Sequence, residues 1–326
     1  MIAVLGAAGT IGRNVVGFLE AWGVSHARRD ARLGGDERVD AGDATSLRNA
    51  LSGADVCVNC VDYRLNRDVM RACLDVGAHY VDLGGLFHMT RRQLELDSEF
   101  RSKGLTALLG MGSAPGKTNL LARAAVERLG GEPTSLHIWA VTRDPAAAGH
   151  PFPAPYSVRT LLDELQLRPM VVADGELRDV EPLSGEAEHE FPDPVGRAEG
   201  IYTLHSELAT LPLAYPTLRE ASFRLCLSPG LKDKLLALGG DEEPEPYVQS
   251  PDSVAVHLVE VANGRRVTGM TVTRGGSARS TSEPAARAAV ELADARLSAP
   301  GVHAPEAAIP DPEAFLELLD TEVRWQ

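Results

Sequence analysis

The sequence predicts an α/β fold that starts with a doubly wound parallel sheet and continues into a separate α+β domain. Three observations lead there. The first third alternates short apolar runs with helix-period patterns, which is the order of β-α-β units. A turn of spaced glycines, Gly6, Gly9 and Gly12, follows the first apolar run directly. From about Glu132 the texture changes: prolines become frequent, and strand-like runs are separated by acidic loops.

IAVL at 2–5 reads as a strand, and Ile11 to Trp22 as a helix with apolar residues at 11, 15, 16, 18, 19 and 22, stopped by Gly23. GVSHA and ERVDA read as the next two strands. About eight residues separate them, too few for a crossover helix, so an extended link is expected. DVCVNCV at 55–61 is a strand, Arg67 to Val76 a helix with Asn66 as its cap, HYVDL at 79–83 a strand, Arg91 to Lys103 a helix, and LTALLG at 105–110 a strand. In the second part SLHIWAVTR, PMVVADG and ASFRLCLS are strand-like, and GGDEEPEPY at 239–247 reads as a solvated loop. NGRRVTGMTVTRGG is a hairpin. SEPAARAAVELADARL is a helix with Ser282 as cap and Pro284 in its first turn, and a short helix closes the chain.

The chain has 326 residues, 24% of them charged and 44% apolar, which is ordinary for a globular protein of about two domains. Its formal net charge of −14 argues against nucleic acid or an anionic membrane as partner, because phosphates are held mainly through Lys and Arg. No apolar run approaches about twenty residues and no signal-peptide pattern precedes MIAVL, so a cytoplasmic protein is expected. Four cysteines are too few and too scattered for a disulfide framework. Cys57 and Cys60 have C-x-x-C spacing, but an odd offset in a strand points them to opposite faces, which reads as buried packing. No metal site is read.

GMGSAPGKTN at 110–119 looks at first like a phosphate-binding P-loop. That motif needs a glycine five residues before its Gly-Lys-Thr, and the slot holds Met111; Pro115 also removes one N–H from the cradle. The glycines at 6, 9 and 12 fit a different anion site: a tight turn, a backbone near enough to touch a pyrophosphate, and a helix N-terminus aimed at it. At the end of the second strand, where an acidic side chain would take the ribose hydroxyls of NAD, stand Arg28 and Arg29. A basic residue there suits a 2′-phosphate, so NADP is expected over NAD; the alternative is that both are solvated, with Asp30 partly neutralising them.

GAAGTIGR at 6–13, CVDYRLNRDVMRACLDVGAHYVDLGG at 60–85 and GLTALLGMGSAPGKTN at 104–119 together resemble the saccharopine dehydrogenase-like superfamily, most of all its lysine 6-dehydrogenase branch. YTLHSELATLP at 202–212 and GVHAPEAAIPD at 301–311 extend the resemblance over most of the chain. It implies a Rossmann-type domain at 1–118 and 283–326 and an inserted α+β substrate and dimerisation domain at 119–282, with a homodimer expected. It further implies a nicotinamide cofactor and a reaction at a C–N bond of an amino acid. Gly112, Pro115 and Gly116 would shape a loop beside the nicotinamide. Lys117 departs from the apolar residue usual there, and either a solvated lysine or one facing an acidic substrate would fit.

The expected cofactor contacts are Gly6, Ala8, Gly9, Thr10, Ile11, Gly12, Arg28, Arg29, Asp43, Cys60, Val61, Gly84, Gly112 and Pro115. Asp82, at the carboxyl end of its strand, would by similarity hold the substrate amino group; a turn cap through backbone N–H groups is the alternative. Tyr63 matches the family's aromatic position. His205 and Glu207 lie on one side if their segment is extended, and are candidates for proton transfer and amine binding. Arg224, a charge among apolar neighbours, suits a substrate carboxylate or a snorkelling strand edge.

The function expected is an NAD(P)-dependent oxidoreductase acting at a CH–NH₂ or CH–NH centre of an amino acid or an amino-acid conjugate, a small-molecule substrate. The alternatives are an opine- or carboxypolyamine-forming imine reductase of the same superfamily, and a non-catalytic NADP-binding redox sensor.

Overall fold

Every residue of Ile2–Leu5 is buried, and this strand, β1, is the centre from which the first unit is wound. The computed structural model describes residues 1–228, 230–238 and 247–326. After β1 come α1 (Thr10–Ala21), β2 (His26–Arg29), α2 (Ala44–Leu51), β3 (Val56–Asn59), α3 (Asn66–Val76), β4 (His79–Asp82), α4 (Leu86–Leu94), α5 (Asp97–Ser102), β5 (Thr106–Leu108) and α6 (Lys117–Leu129). The second unit adds β6 (Ser135–Arg143), α7 (Val158–Gln166), β7 (Met170–Ala173), β8 (Glu176–Asp179), β9 (Ala187–Glu190), β10 (Arg197–Tyr202), α8 (Glu207–Ala214), β11 (Glu220–Cys226), α9 (Leu231–Leu236), β12 (Val254–Ala262) and β13 (Arg266–Arg274). The chain closes with α10 (Gly276–Ala293), β14 (Gly301–His303), α11 (Pro305–Ala308), α12 (Pro312–Glu317) and β15 (Glu322–Trp325).

The first unit, Met1–Asn119 with Thr281–Leu319, holds a six-stranded sheet in the order β14-β5-β4-β3-β1-β2. All its neighbours are parallel. The chain leaves β1 towards β2, then crosses back to β3 on the other side, so the loops at their carboxyl ends diverge. Such a switch point is where open parallel sheets bind their ligands. One face of the sheet, with Ala3, Leu5, Cys57, Tyr80 and Ala107, packs on Leu47, Leu51, Val69, Met70 and Cys73 from α2 and α3. Each fully buried leucine, valine or methionine among them contributes about 1.5–3 kcal/mol.

The doubly wound α/β class is as expected; several elements differ. ERVDA forms no strand: β2 is the sheet's edge, and only an isolated bridge, Asp30 to Arg38, continues there. The crossover to β3 is carried instead by α2, which the sequence reading missed. Its signals were present, with Asp43 accepting the Ser46 N–H as N-cap and Leu47, Ala50 and Leu51 at helical spacing. The helix expected at 91–103 is two, α4 and α5. Asn66 is not a cap; it is 1% exposed and its side chain turns inward. Ser282 is not a cap either, because α10 begins at Gly276, and its hydroxyl donates to the Ile11 carbonyl.

The second unit is Leu120–Ser280 with Asp320–Gln326. Among the described residues seven strands follow the order β15-β13-β12-β6-β11-β10-β9, with β7 attached at β11 and β8 paired to β7. β6 and β11 are parallel, while the β12–β13 hairpin is antiparallel through nine residue pairs. Boundaries were expected at 118/119 and 282/283; the two units divide after Asn119, Ser280 and Leu319. The last residues differ, since β15 pairs with β13 and belongs to the second sheet. The segment read as a solvated loop, 239–247, lies outside the described residues except for Tyr247.

Candidate functional site

The turn after β1 is built so that only glycine fits. Gly6 has φ +75°, and a Cβ on it would meet the Cys60 carbonyl at the end of β3; a Cβ on Gly12 would fall inside the Gly6 carbonyl. The Gly6 and Ala7 N–H groups donate to the Arg29 carbonyl and the Gly9 N–H to that of Gly6. α1 then begins at Thr10 with no side-chain cap. Its first-turn N–H groups, on Thr10, Ile11 and Gly12, therefore face the switch point as donors for an anion. Backbone that a Cβ would fill, next to an uncapped helix start, fits a dinucleotide pyrophosphate.

Around this cradle the expected contacts divide. Cys60 and Val61 follow β3 beside Gly6, and Gly84, at φ +118°, follows β4. Asp43 is the exposed cap of α2. Arg29 is tied by its Nε to the Ala50 carbonyl at 3.0 Å, and Arg28 is paired with Glu37 at 3.6 Å. Asp30, just past β2, is 7% exposed. Its Oδ1 accepts from the Arg32 N–H and Nε, and its Oδ2 from Arg32 Nη2 and the Ala8 N–H, at 2.9–3.1 Å. These bonds, led by the guanidinium of Arg32, hold its pKa down at about 2. Sequence reasoning passed over Arg32, although it stands two residues beyond an acid at a strand end.

Asp82 is at the carboxyl end of β4, as expected, and is 1% exposed. Its Oδ1 accepts from the Gly110 N–H at 2.6 Å and the Gly84 N–H at 2.9 Å. Its Oδ2 accepts from Gln93 Nε2 at 2.6 Å, the Tyr80 hydroxyl at 2.9 Å and Asn66 Nδ2 at 3.1 Å. Burial raises its pKa against these donors, which pull it down. The carboxylate thus joins the loops after β3, β4 and β5. Tyr63, half-buried, lies in the short 3₁₀ turn between β3 and α3, its ring under the Arg64 guanidinium.

The 110–119 loop is closed on itself. The N–H groups of Gly110 and Met111 donate to Asp82, that of Gly112 to the Pro115 carbonyl, that of Gly116 to Asn119 Oδ1, and those of Lys117 and Thr118 to the Gly112 and Ser113 carbonyls. Donors committed in this way cannot wrap a phosphate, and Lys117 is fully buried. Both C-x-x-C thiols are held protonated: burial raises Cys57, which faces Cys73, and pushes Cys60 up to about 12.

In the second unit His205 stacks on Phe223 with ring centroids 3.6 Å apart. Its Nδ1 lies 3.4 Å from Glu207 Oε2 and its Nε2 3.7 Å from Glu164 Oε2, all three side chains being at most 5% exposed. The Tyr156 hydroxyl donates to Glu164 at 2.5 Å. Burial pushes the imidazole down, but the two carboxylates outweigh it and hold its pKa at about 9. His205 and Glu207 do come together, though not through an extended segment, since Glu207 opens α8. Glu164 and Tyr156 were not legible, lying some forty residues upstream.

Arg224 is elsewhere. It neighbours Phe223 on β11, so the two side chains point to opposite faces of the sheet. Its nitrogens donate to the Gly185 carbonyl, Ser222 Oγ and the Tyr202 hydroxyl, and its guanidinium lies over the Trp139 and Tyr202 rings. Arg224 thus lies on the face of β11 opposite to Phe223, on which His205 stacks.

Comparison with known proteins agrees with the cradle. Residues 2–108 match the family described as the saccharopine dehydrogenase NADP binding domain. A carboxyaminopropylagmatine dehydrogenase from Synechocystis is 26% identical over 182 residues, which is 54% of this chain and 45% of that protein's length. The apo saccharopine dehydrogenase (L-Glu forming) of Saccharomyces cerevisiae superposes with a TM-score of 0.72 at 16% identity, covering 100% of this chain and 99% of that one. The homospermidine synthase of Legionella pneumophila, solved with NAD, gives 0.71 at 11% identity, covering 100% and 90%. At such identities the two structures speak for the fold alone. Residues 2–108 thus match a saccharopine dehydrogenase NADP binding domain, as the motifs in that segment led us to expect. No helix among the described residues is long and apolar enough to cross a membrane.

Proposed function

We propose that this protein belongs to the saccharopine dehydrogenase-like superfamily and is an NADP-dependent oxidoreductase that makes or breaks a C–N bond of an amino acid or an amino-acid conjugate. The observation that carries the reading is the glycine cradle at the β1/β3 switch point, inside the segment that matches the NADP binding domain. A bound nicotinamide would supply or accept the hydride. The cradle's first-turn N–H groups would hold the pyrophosphate, and the Asp82 network would fix the loops around it.

In the second unit the Tyr156–Glu164–His205–Glu207 cluster supports proton handling. With a pKa of about 9, His205 is an imidazolium at neutral pH, so it is suited to donating a proton in the reductive direction. Reduction of an imine consumes one hydride and one proton, and condensation of an amine with a carbonyl releases one water. Among such reactions, formation of a carboxyalkylated amine has one specific support, the Synechocystis relative, which is named for a carboxyaminopropylagmatine.

The test is to scan amines, amino acids and keto acids while following NADPH and NADH absorbance. Oxidation of NADPH that requires both an amine and a keto acid or aldehyde, or reduction of NADP by a secondary or primary amine, is expected. Tight NADPH binding with no turnover across the panel would leave the non-catalytic sensor reading in its place.

A further inference from the structure

The feature that decides cofactor choice lies just beyond β2 and rests on the dinucleotide reading above. An acid at this place ordinarily accepts hydrogen bonds from the adenine ribose diol, and its charge repels a 2′-phosphate. Asp30 occupies such a place, since its Oδ2 takes the Ala8 N–H of the glycine turn itself. A carboxylate has about four acceptor sites. Here all are filled, two on Oδ1 by the Arg32 N–H and Nε, and two on Oδ2 by Ala8 and Arg32 Nη2. No acceptor remains for a ribose diol, and the guanidinium cancels the carboxylate's charge.

The same guanidinium faces the turn. Arg32 Nη2 lies 3.4 Å from the point where a Cβ on Gly9 would stand, while 64% of the side chain stays exposed. One edge of its fork, Nε and Nη2, is anchored by Asp30, which leaves Nη1 outside that pair. The arginines inside β2 are less free: Arg29 serves the Ala50 and Arg28 carbonyls, and Arg28 leans on Glu37.

We infer that Arg32, anchored by Asp30, is the residue that binds the 2′-phosphate of NADP, and that the pair sets the preference for NADP over NAD. Asp30 is the positioning residue and Arg32 the contact. Removing Arg32 does two things at once: it takes away a charge-assisted phosphate contact, and it returns to Asp30 both its free acceptors and its negative charge.

The experiment is calorimetric titration of wild type and Arg32→Ala with NADPH, NADH, 2′,5′-ADP and ADP. Loss of a charge-assisted contact should weaken NADPH and 2′,5′-ADP by about ten- to a hundredfold. NADH and ADP should bind as well as before or better, because Asp30 becomes available to the diol. The double variant Asp30→Asn/Arg32→Ala should recover part of the lost NADPH affinity, since the repelling charge is gone. Circular dichroism and the melting temperature check that both variants stay folded. If Arg32→Ala leaves the ratio of NADH to NADPH dissociation constants within twofold of wild type, the inference is overturned while the dinucleotide reading stands. If the wild type binds none of the four, both fall together.

Discussion

Gly12 stands against Gly6 so closely that a Cβ on the first would lie inside the carbonyl oxygen of the second. The contact is backbone to backbone, and no side-chain rotation can relieve it. Gly12→Ala should therefore push α1 away from the turn, and NADPH affinity should fall at least tenfold with a lower melting temperature. Gly17, in the same helix with open space around its Cα, is the control, and Gly17→Ala should leave the affinity unchanged and hold or raise the melting temperature. Equal behaviour of the two variants in a titration would show that the turn is not the cradle.

Asp82→Asn tests the network after β4. All five groups that reach the carboxylate are donors: the Gly84 and Gly110 N–H groups, Gln93, Tyr80 and Asn66. An amide presents one acceptor and one donor, so its NH₂ must face donors whichever way it turns. A buried polar group left unmatched costs about 1–3 kcal/mol. For a unit of this size that lowers the melting temperature by several degrees, at about 2–4 °C per kcal/mol. An unchanged melting temperature together with a large loss of turnover would instead support direct contact between Asp82 and the substrate amine.

ATP should give no thermal stabilisation beyond that of any polyanion, because the N–H groups of the 110–119 loop are committed within the protein. NADPH should raise the melting temperature. Lys117→Met should leave NADPH affinity nearly unchanged. An ATP-dependent shift that vanishes in that variant would return the loop to the P-loop class.

The parallel sheet was legible because its central strands, β1 and β3, are buried on both faces and its glycine turn leaves a spacing signature. α2 was not read, although Asp43 and the apolar spacing mark it, because Val39 between polar residues imitates a strand and the eight residues before it seemed to forbid a helix. The true crossover helix simply comes later. The site was read in halves. His205 and Glu207 are two residues apart and could be paired from sequence, whereas Glu164 on α7 and Tyr156 just before it reach the cluster through tertiary folding. Arg224 was read two ways because a charge in an apolar strand suits either a ligand or a strand edge; in the structure its guanidinium meets a carbonyl, two hydroxyls and two aromatic faces.

The last prediction concerns the protonation of His205. Its value of about 9 lies above the ordinary 6.5, so the folded protein holds this proton more tightly than the unfolded chain does. The stabilisation is complete below pH 6.5 and is lost as the pH rises through 9. A shift of this size corresponds to roughly 3 kcal/mol at most. The melting temperature of the wild type should accordingly fall between pH 6.5 and 9. His205→Gln cannot take the proton, so its melting temperature should be lower at pH 6.5 and should lose this slope, the two proteins converging towards pH 9. Nuclear magnetic resonance of the His205 ring gives the titration directly. A ring that loses its proton near pH 6.5, with parallel melting curves for the two proteins, would mean that the carboxylates of Glu164 and Glu207 do not hold an imidazolium between them, and the proton-donor role proposed for the cluster would go with it.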